Sequence, residues 1–424
     1  MKLPWAGEGL SLLRNPTEYF EKQRARQGDT FFMDAFGFRL FCVFSPMGVK
    51  ALYSLPERDA SFGLATYRLI GFKLPAELLD GRRNTPHSLF GAQDVERYLD
   101  NLDAAIAAEL AELGDRGSFE VFAEMKRLGH RLGLASWAGR EVASARYLDR
   151  LIPELDAVDS SEAFVRPAQA FRTRVTKQRR ERLALHRIEA IIGEVLAERR
   201  RDGSLGDTGD FLDHIYESFA DQPSPQREIS TARDIVLIHS GAQSNLYAAL
   251  AWTLIRLLQH PDALAAVRHG DTALLEQCAN EAIRMAQRSI TLREVMRPLD
   301  FEVETGTHHL ERGVLITTML SVNNAPVDAD LDAFDPAHYE RGRRTLAAPV
   351  LAALPAKELV STFGHGSHTC PAARFSISAI RTAVQALVDR YDFDLQFTDV
   401  APRPRQIGGV ARAAKPCVVR YRLR

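Results

Sequence analysis

The chain has 424 residues, 54 Lys plus Arg against 55 Asp plus Glu, and an apolar fraction of 46%. That apolar content can build a sizeable core, which excludes a disordered chain and a small disulfide scaffold. The balanced charge argues against a dedicated nucleic-acid binder, which would carry a basic surplus. Cys42, Cys278, Cys370 and Cys417 are scattered without a CxxC pair. The first residues show no basic-then-apolar leader and no anchor. Together these predict reduced thiols, a cytoplasmic location and no membrane attachment. The longest apolar stretch, Ile235 to Leu258, is interrupted by His239, Gln243, Asn245 and Arg256 and reads as a buried helix, too polar to span a membrane.

In chain order, Pro16 to Arg26 reads as a helix with Asn15 as its N-cap and Pro16 at the first helical position. Thr30 to Val43 alternates, carries aromatics and holds Gly37, which predicts a hairpin. Asp94 to Leu113 has helical spacing. Ile188, Ile191, Ile192, Val195 and Leu196 mark one face of another helix. The stretch before it, Arg172 to Arg187, carries seven Lys/Arg and one Glu and reads as a solvated face, with a membrane or partner patch as the alternative. Gly203 to Thr208 and Asp221 to Ser230 read as polar loops. A long helix is expected from about Thr231 to Gln259, ended by His260-Pro261, and a second from about Thr272 to Gln287. Thr291 to Thr318 reads as short strands around a turn at Gly306. Ala347 to Leu359 is rich in Pro and Ala and reads as irregular. Ser376 to Val388 is helical again, and Cys417 to Leu423 alternates as a strand. The class is mainly α with a small β region.

The most informative segment is Phe363-Gly364-His365-Gly366-Ser367-His368-Thr369-Cys370-Pro371. Two glycines, six and four residues before a cysteine, let the backbone turn tightly and lie against a flat group. Cys370 stands just ahead of a predicted helix, where exposed amides and the helix dipole favour a thiolate. Such a thiolate suits the axial position of haem iron, because hydrogen bonds to sulfur tune how much electron density reaches the metal. Taken alone, the cysteine could equally be a buried free thiol in a Gly-rich loop. The whole spacing FGxGxHxC resembles the haem-binding loop of the cytochrome P-450 family, with Ala372 where that family usually has Gly.

The resemblance brings further expectations. It covers nearly the whole chain, and it implies one triangular, α-rich domain over residues 1–424 holding haem b. Cys370 is then the iron ligand, with Phe363, Gly364, Gly366 and His368 around the cofactor. Glu281 and Arg284 share a helix face at i and i+3. With His338 of the Phe334-Asp335-Pro336-Ala337-His338-Tyr339 loop, they would lock the segment carrying the cysteine. Arg293 would meet a haem propionate, a carboxylate that a guanidinium matches bidentately. Arg82, Arg83 and His87 are further basic candidates. In the long helix, Gly241-Ala242-Gln243-Ser244-Asn245 places small and polar residues in an apolar setting. Gly241 and Ala242 would lie against the cofactor, and Gln243, Ser244 and Asn245 would handle protons. Ser244 and Asn245 stand where the family usually has an acid and Thr. The Gln-x-Asn pattern is similar to the branch containing prostacyclin synthase and the cholesterol and bile-acid hydroxylases.

These features imply a monooxygenase that inserts one atom of O2 into a C–H bond of a lipophilic substrate, of sterol, terpenoid or fatty-acyl type. No flavin or iron–sulfur motif is present in the sequence, so electrons would come from a ferredoxin or flavodoxin-type donor with its reductase, steered by a basic surface including Arg374. The protein would act as a monomer, without nucleic acid. The changed residues at 244 and 245 keep open an isomerase or lyase rearranging a lipid peroxide, and a third reading is a haem-binding sensor or carrier.

Overall fold

The computed structural model describes residues 7–71, 73–84, 92–159, 173, 175–206, 210–324 and 329–424. His87, Arg172, Arg174 and residues 207–208 of the first polar loop lie outside them. The helices are α1 Gly9–Leu12, α2 Pro16–Gln27, α3 Pro46–Ser54, α4 Phe62–Ile70, α5 Ala76–Leu79, α6 Ala92–Leu113, α7 Val121–Trp137 and α8 Ala145–Val158. They continue with α9 Arg179–Asp202, α10 Phe211–Ser218, α11 Gln226–Gln259, α12 Pro261–Arg268, α13 Thr272–Ala286, α14 Leu320–Asn323, α15 Ala348–Ala353 and α16 Ala373–Arg390. The strands are β1 Thr30–Ala35, β2 Phe38–Val43, β3 Ala60–Ser61, β4 Arg116–Glu120, β5 Ile290–Val295, β6 Leu299–Val303, β7 Gly306–Leu310, β8 Leu315–Met319, β9 Tyr391–Leu395 and β10 Val418–Leu423. The fold is mainly helical with small sheets, as the sequence predicts.

Contacts group the chain into two compact units. The first comprises Met1–Ile70, Glu276–Cys370 and Ala401–Lys415. Its five-stranded sheet has the order β1-β2-β8-β5-β3, with β2 and β8 parallel and the other pairs antiparallel. The β1–β2 turn places Phe36 and Gly37 at φ 53° and 82°. A two-residue turn with positive φ at both positions matches the twist of the strands it joins. Phe41, Val43, Val49, Leu52, Val295, Phe301 and Ile316 form the core beneath this sheet.

The second unit comprises Gly71–Leu275, Pro371–Val400 and Pro416–Arg424. Here α11 packs on α7, α9 and α16; α6 packs on α7 and α16; and α9 packs on α8. A second sheet has the order β4-β10-β9, with both pairs antiparallel. Ile188, Ile191, Ile192, Val195 and Leu196 are all buried on one face of α9, while Arg179, Arg180 and Arg187 are exposed, which gives the solvated basic face expected there. No helix among the described residues is long and apolar enough to cross a membrane. The four cysteines form no disulfide.

Two boundaries differ from expectation. The long helix begins at Gln226, inside the predicted loop Asp221 to Ser230. Pro223 and Pro225 break the chain, but Gln226-Arg227-Glu228 are good helix formers, and the last turn of the presumed loop is the solvated first turn of the helix. Within Ala347 to Leu359 the segment expected to be irregular holds α15, because Pro349 occupies the first turn, where a missing N–H is harmless.

The second unit contains a buried polar chain. The Trp137 indole N–H donates to His239 Nδ1 at 3.2 Å, and His239 Nε2 lies 2.8 Å from His130 Nδ1. His130 Nε2 lies 3.3 Å from Asp156 Oδ1, and Lys126 Nζ donates to Asp156 Oδ2 at 2.6 Å. An indole can only donate, so His239 Nδ1 accepts and its proton sits on Nε2. His130 must then accept at Nδ1 and donate from Nε2. Both rings are thereby assigned as neutral, each in one tautomer. Complete burial, followed by the nearby His130, drives the His239 pKa well below its usual value. In the unfolded chain this imidazole takes up a proton near pH 6.5, whereas in the fold it does not. Stability from this site therefore declines as pH falls below about 6.5. The unfolding free energy of His239→Gln, followed by denaturant titration from pH 7 to 5, is expected to fall less steeply than that of the wild type.

Candidate functional site

Within the first unit, the backbone between Val360 and Cys370 closes on itself. The Cys370 amide donates to the Phe363 carbonyl at 2.7 Å, His368 N–H to His365 O at 2.9 Å, and Thr369 N–H to Gly366 O at 3.2 Å. Gly364 and Gly366 have φ of 80° and 55°. A Cβ on Gly364 would run into the His368 carbonyl, so a side chain is excluded there by space as well as by dihedral. The two glycines of the motif are thus required by the turn itself.

This loop is tied to the buried ion pair. Arg284 donates from Nε and Nη2 to the two carboxylate oxygens of Glu281, at 2.7 and 2.6 Å, and neither residue has solvent exposure at its charged side chain. Its other N–H groups reach the carbonyls of Asn324 and Leu331, both at 2.8 Å. His338 Nδ1 lies 2.9 Å from Glu281 Oε1, and the Asp335 amide donates to the same oxygen at 3.3 Å. Burial would push the Glu281 carboxyl upward, but the Arg284 and His338 hydrogen bonds overcome it and hold the pKa below the usual range. The same bond raises the His338 pKa. The structure therefore brings Glu281, Arg284 and His338 together.

Asn324 carries the connection onward, although no local sequence pattern marks it. Its amide nitrogen donates to Arg284 O and Ser361 O, both at 3.0 Å, and its oxygen accepts from Ser361 N–H at 2.9 Å. Ser361 Oγ in turn accepts from the Gly364 amide at 2.9 Å. A continuous path runs from the ion pair through Asn324 and Ser361 to the first glycine of the cysteine loop. Gln287 adds a parallel tie, donating to Thr362 O at 3.1 Å.

Arg293 is fully buried in the first unit. It donates to Ala60 O at 2.8 Å, Leu52 O at 3.2 Å and Glu57 Oε2 at 3.2 Å. The guanidinium has five N–H groups, so two remain beyond these. His368 lies within its field. Burial first, and then the Arg293 charge, lower the His368 pKa to about 4, with Glu57 acting in the opposite direction. The neutral ring packs against Phe62, with centroids 4.2 Å apart, and against the edge of Tyr53 at 5.4 Å. Both His368 ring nitrogens are buried with no hydrogen-bond partner among the described residues. A buried polar atom left in this way costs about 1–3 kcal/mol. Two free guanidinium N–H groups and a neutral imidazole with a donor to place fit a carboxylate. Together with the glycine turn before Cys370, the donor set suits a flat cofactor bearing carboxylates. Arg82 and Arg83, by contrast, are already held: Arg82 by Asp221 at 2.7 Å and Ser218 O at 2.5 Å, Arg83 by Leu78 O at 3.0 Å and near Asp234 at 3.8 Å.

In the second unit, the polar segment interrupts a buried stretch of α11. Gly241 is exposed, Ala242, Ser244 and Asn245 are half-buried, and Gln243 is buried. Apart from its chain neighbours and the backbone of its own helix, no described atom lies within 4 Å of where a Cβ on Gly241 would sit. Neither amide atom of Gln243 has a hydrogen-bond partner among the described residues, and the buried Ser240 hydroxyl also lacks one. Buried amides are normally satisfied, so this is a place suited to ordered water or a polar group of a ligand.

Removing one half of the Glu281–Arg284 pair leaves a buried unpaired charge. Arg284→Met is expected to lower the unfolding free energy by about 3–5 kcal/mol. Arg284→Lys should recover only part of this, because an ammonium cannot reproduce the bidentate fork. Denaturant titration of the three proteins measures both effects.

The cytochrome P450 family pattern matches residues 148–420. Among curated proteins, sterol 14alpha-demethylase of Mycobacterium bovis is 26% identical over 75% of this chain and 72% of its own length. The 24-hydroxycholesterol 7-alpha-hydroxylase of Mus musculus is 21% identical over 100% of this chain and 92% of its own. Abscisic acid 8'-hydroxylase 2 of Oryza sativa subsp. indica is 23% identical over 97% of this chain and 84% of its own. With the family pattern covering well over half of the sequence, the chain belongs to the cytochrome P450 family, and that membership implies a haem-thiolate cofactor.

Proposed function

We propose that the protein is a haem-thiolate monooxygenase that inserts one oxygen atom from O2 into a C–H bond of a lipophilic substrate of sterol, terpenoid or fatty-acyl type. The observation that carries this reading is the self-closed turn before Cys370, wired to a buried ion pair and accompanied by His368, whose ring nitrogens have no hydrogen-bond partner among the described residues. Two relatives are named for sterol substrates, which supports the lipophilic class. Electrons would come from a ferredoxin or flavodoxin-type partner, and Arg374, exposed in the first turn of α16, is a candidate for meeting its acidic surface.

When bound, haem supplies the oxidising chemistry. The chain's own residues then have separable tasks. Cys370 offers the thiolate ligand, and Phe363, Gly364 and Gly366 shape the backbone beside it. His368 and Arg293 hold the carboxylates. Glu281, Arg284 and His338 fix the loop's frame. Gly241 and Ala242 keep their part of α11 small enough for a cofactor to approach. Gln243 holds water through its buried amide. Ser244 can donate and accept a proton at its hydroxyl, and the Asn245 amide can orient water without giving up its own proton.

The same two positions favour a second reading. With Ser244 and Asn245 where the family usually has an acid and Thr, the site also suits rearrangement of a lipid peroxide, which needs no external electrons. Product formation that depends on NAD(P)H and a reductase supports monooxygenation. Rapid turnover of a lipid hydroperoxide without reductant supports the isomerase reading instead.

Cys370→Ser is expected to abolish the reduced-CO absorption band of thiolate ligation, and a retained band would assign the ligand elsewhere. Asn245→Thr is expected to change the fraction of consumed electrons that appears in product more than it changes substrate affinity. A spectral binding titration set beside NAD(P)H and product stoichiometry reads the two quantities separately.

A further inference from the structure

Glu57 was not singled out by the sequence, yet it stands at the junction of Arg293 and α4. Its carboxylate accepts from Ser61 Oγ at 2.6 Å, from the Gly63 amide at 2.9 Å and from the Phe62 amide at 3.0 Å. These are the first amides of α4, which have no partner within the helix. Its other bond is to the buried guanidinium of Arg293 at 3.2 Å. Phe62, the residue whose amide Glu57 binds, also packs its ring on His368. One side chain therefore anchors both the residue covering His368 and the cation expected to meet a carboxylate of the cofactor.

We propose that Glu57 is a positioning residue that sets the aim and effective charge of Arg293 toward the haem carboxylates, and that it links those contacts to the start of α4. The inference rests on the haem reading above. Arg293 is itself buried, and of the groups it touches only Glu57, whose side chain is about half exposed, carries a balancing charge. Glu57 and a cofactor carboxylate would share one guanidinium. Removing the Glu57 charge leaves more of the cation to the cofactor.

Glu57→Gln removes the charge and keeps an acceptor for one of the two α4 amides. Ser61→Ala removes one bond to the same carboxylate and keeps the charge. In the haem-loaded protein, Glu57→Gln is expected to shift the reduction midpoint in the positive direction, because the negative charge that offsets Arg293 is lost. It should also slow haem transfer to apomyoglobin by about two- to fivefold, the scale of one half-exposed charge pair. Glu57→Asp, which retains the charge, should keep the wild-type midpoint, and so should Ser61→Ala. A wild-type midpoint and transfer rate in Glu57→Gln overturn the proposal, as does an equal shift in Ser61→Ala, which would mark a purely structural role. A wild-type chain that takes up no haem would remove the underlying haem reading, and this inference with it; a loaded wild type with an unresponsive Glu57→Gln removes this inference alone.

Discussion

A guanidinium sealed from water must find protein partners for its N–H groups, and Arg284 finds them on three separate segments. It grips Glu281 on its own helix, the Asn324 carbonyl after α14, and the Leu331 carbonyl in the turn beyond. Glu281 then collects His338 and the Asp335 amide from a fourth segment. The desolvation of two charges is tolerable only with this degree of hydrogen bonding. The geometry of the cysteine loop follows from it, since Asn324 turns the fixed position of Arg284 into a fixed position for Ser361, and Ser361 holds Gly364.

How much of this the sequence showed depends on distance along the chain. The cysteine motif is local, and its glycines are needed by the backbone of the same ten residues, so the spacing was readable. Glu281 and Arg284 lie one helical turn apart and were readable for the same reason. Asn324 and Glu57 were not. Asn324 meets Arg284 across 40 positions and Glu57 meets Arg293 across 236, and no local pattern distinguishes either from an ordinary surface residue. The early start of α11 escapes a local reading because the prolines before it mark a loop while the residues after them already favour helix, and α15 escapes it because a proline in the first turn is compatible with a helix.

The polar interruption in α11 is the opposite case. Gln243 in an apolar helix breaks the local rule for burial, and the structure shows why the rule mattered: the amide is buried without a hydrogen-bond partner among the described residues. Glu281, equally polar and equally buried, is fully engaged. The contrast separates a residue that completes the scaffold from one left ready for something outside it. Both occur on helices with similar apolar neighbours, so burial alone does not tell them apart; the presence or absence of partners does.

The row of bonds from Trp137 through His239 and His130 to Asp156 has a single direction, set at one end by an indole that cannot accept. Reversing the bond between the two rings would move a proton to His239 Nδ1, against the indole N–H, so the direction holds as long as the Trp137 bond is made. Trp137, His239 and His130 are all buried where α7 packs on α11, so deuterium should reach the indole hydrogen only when these two helices part.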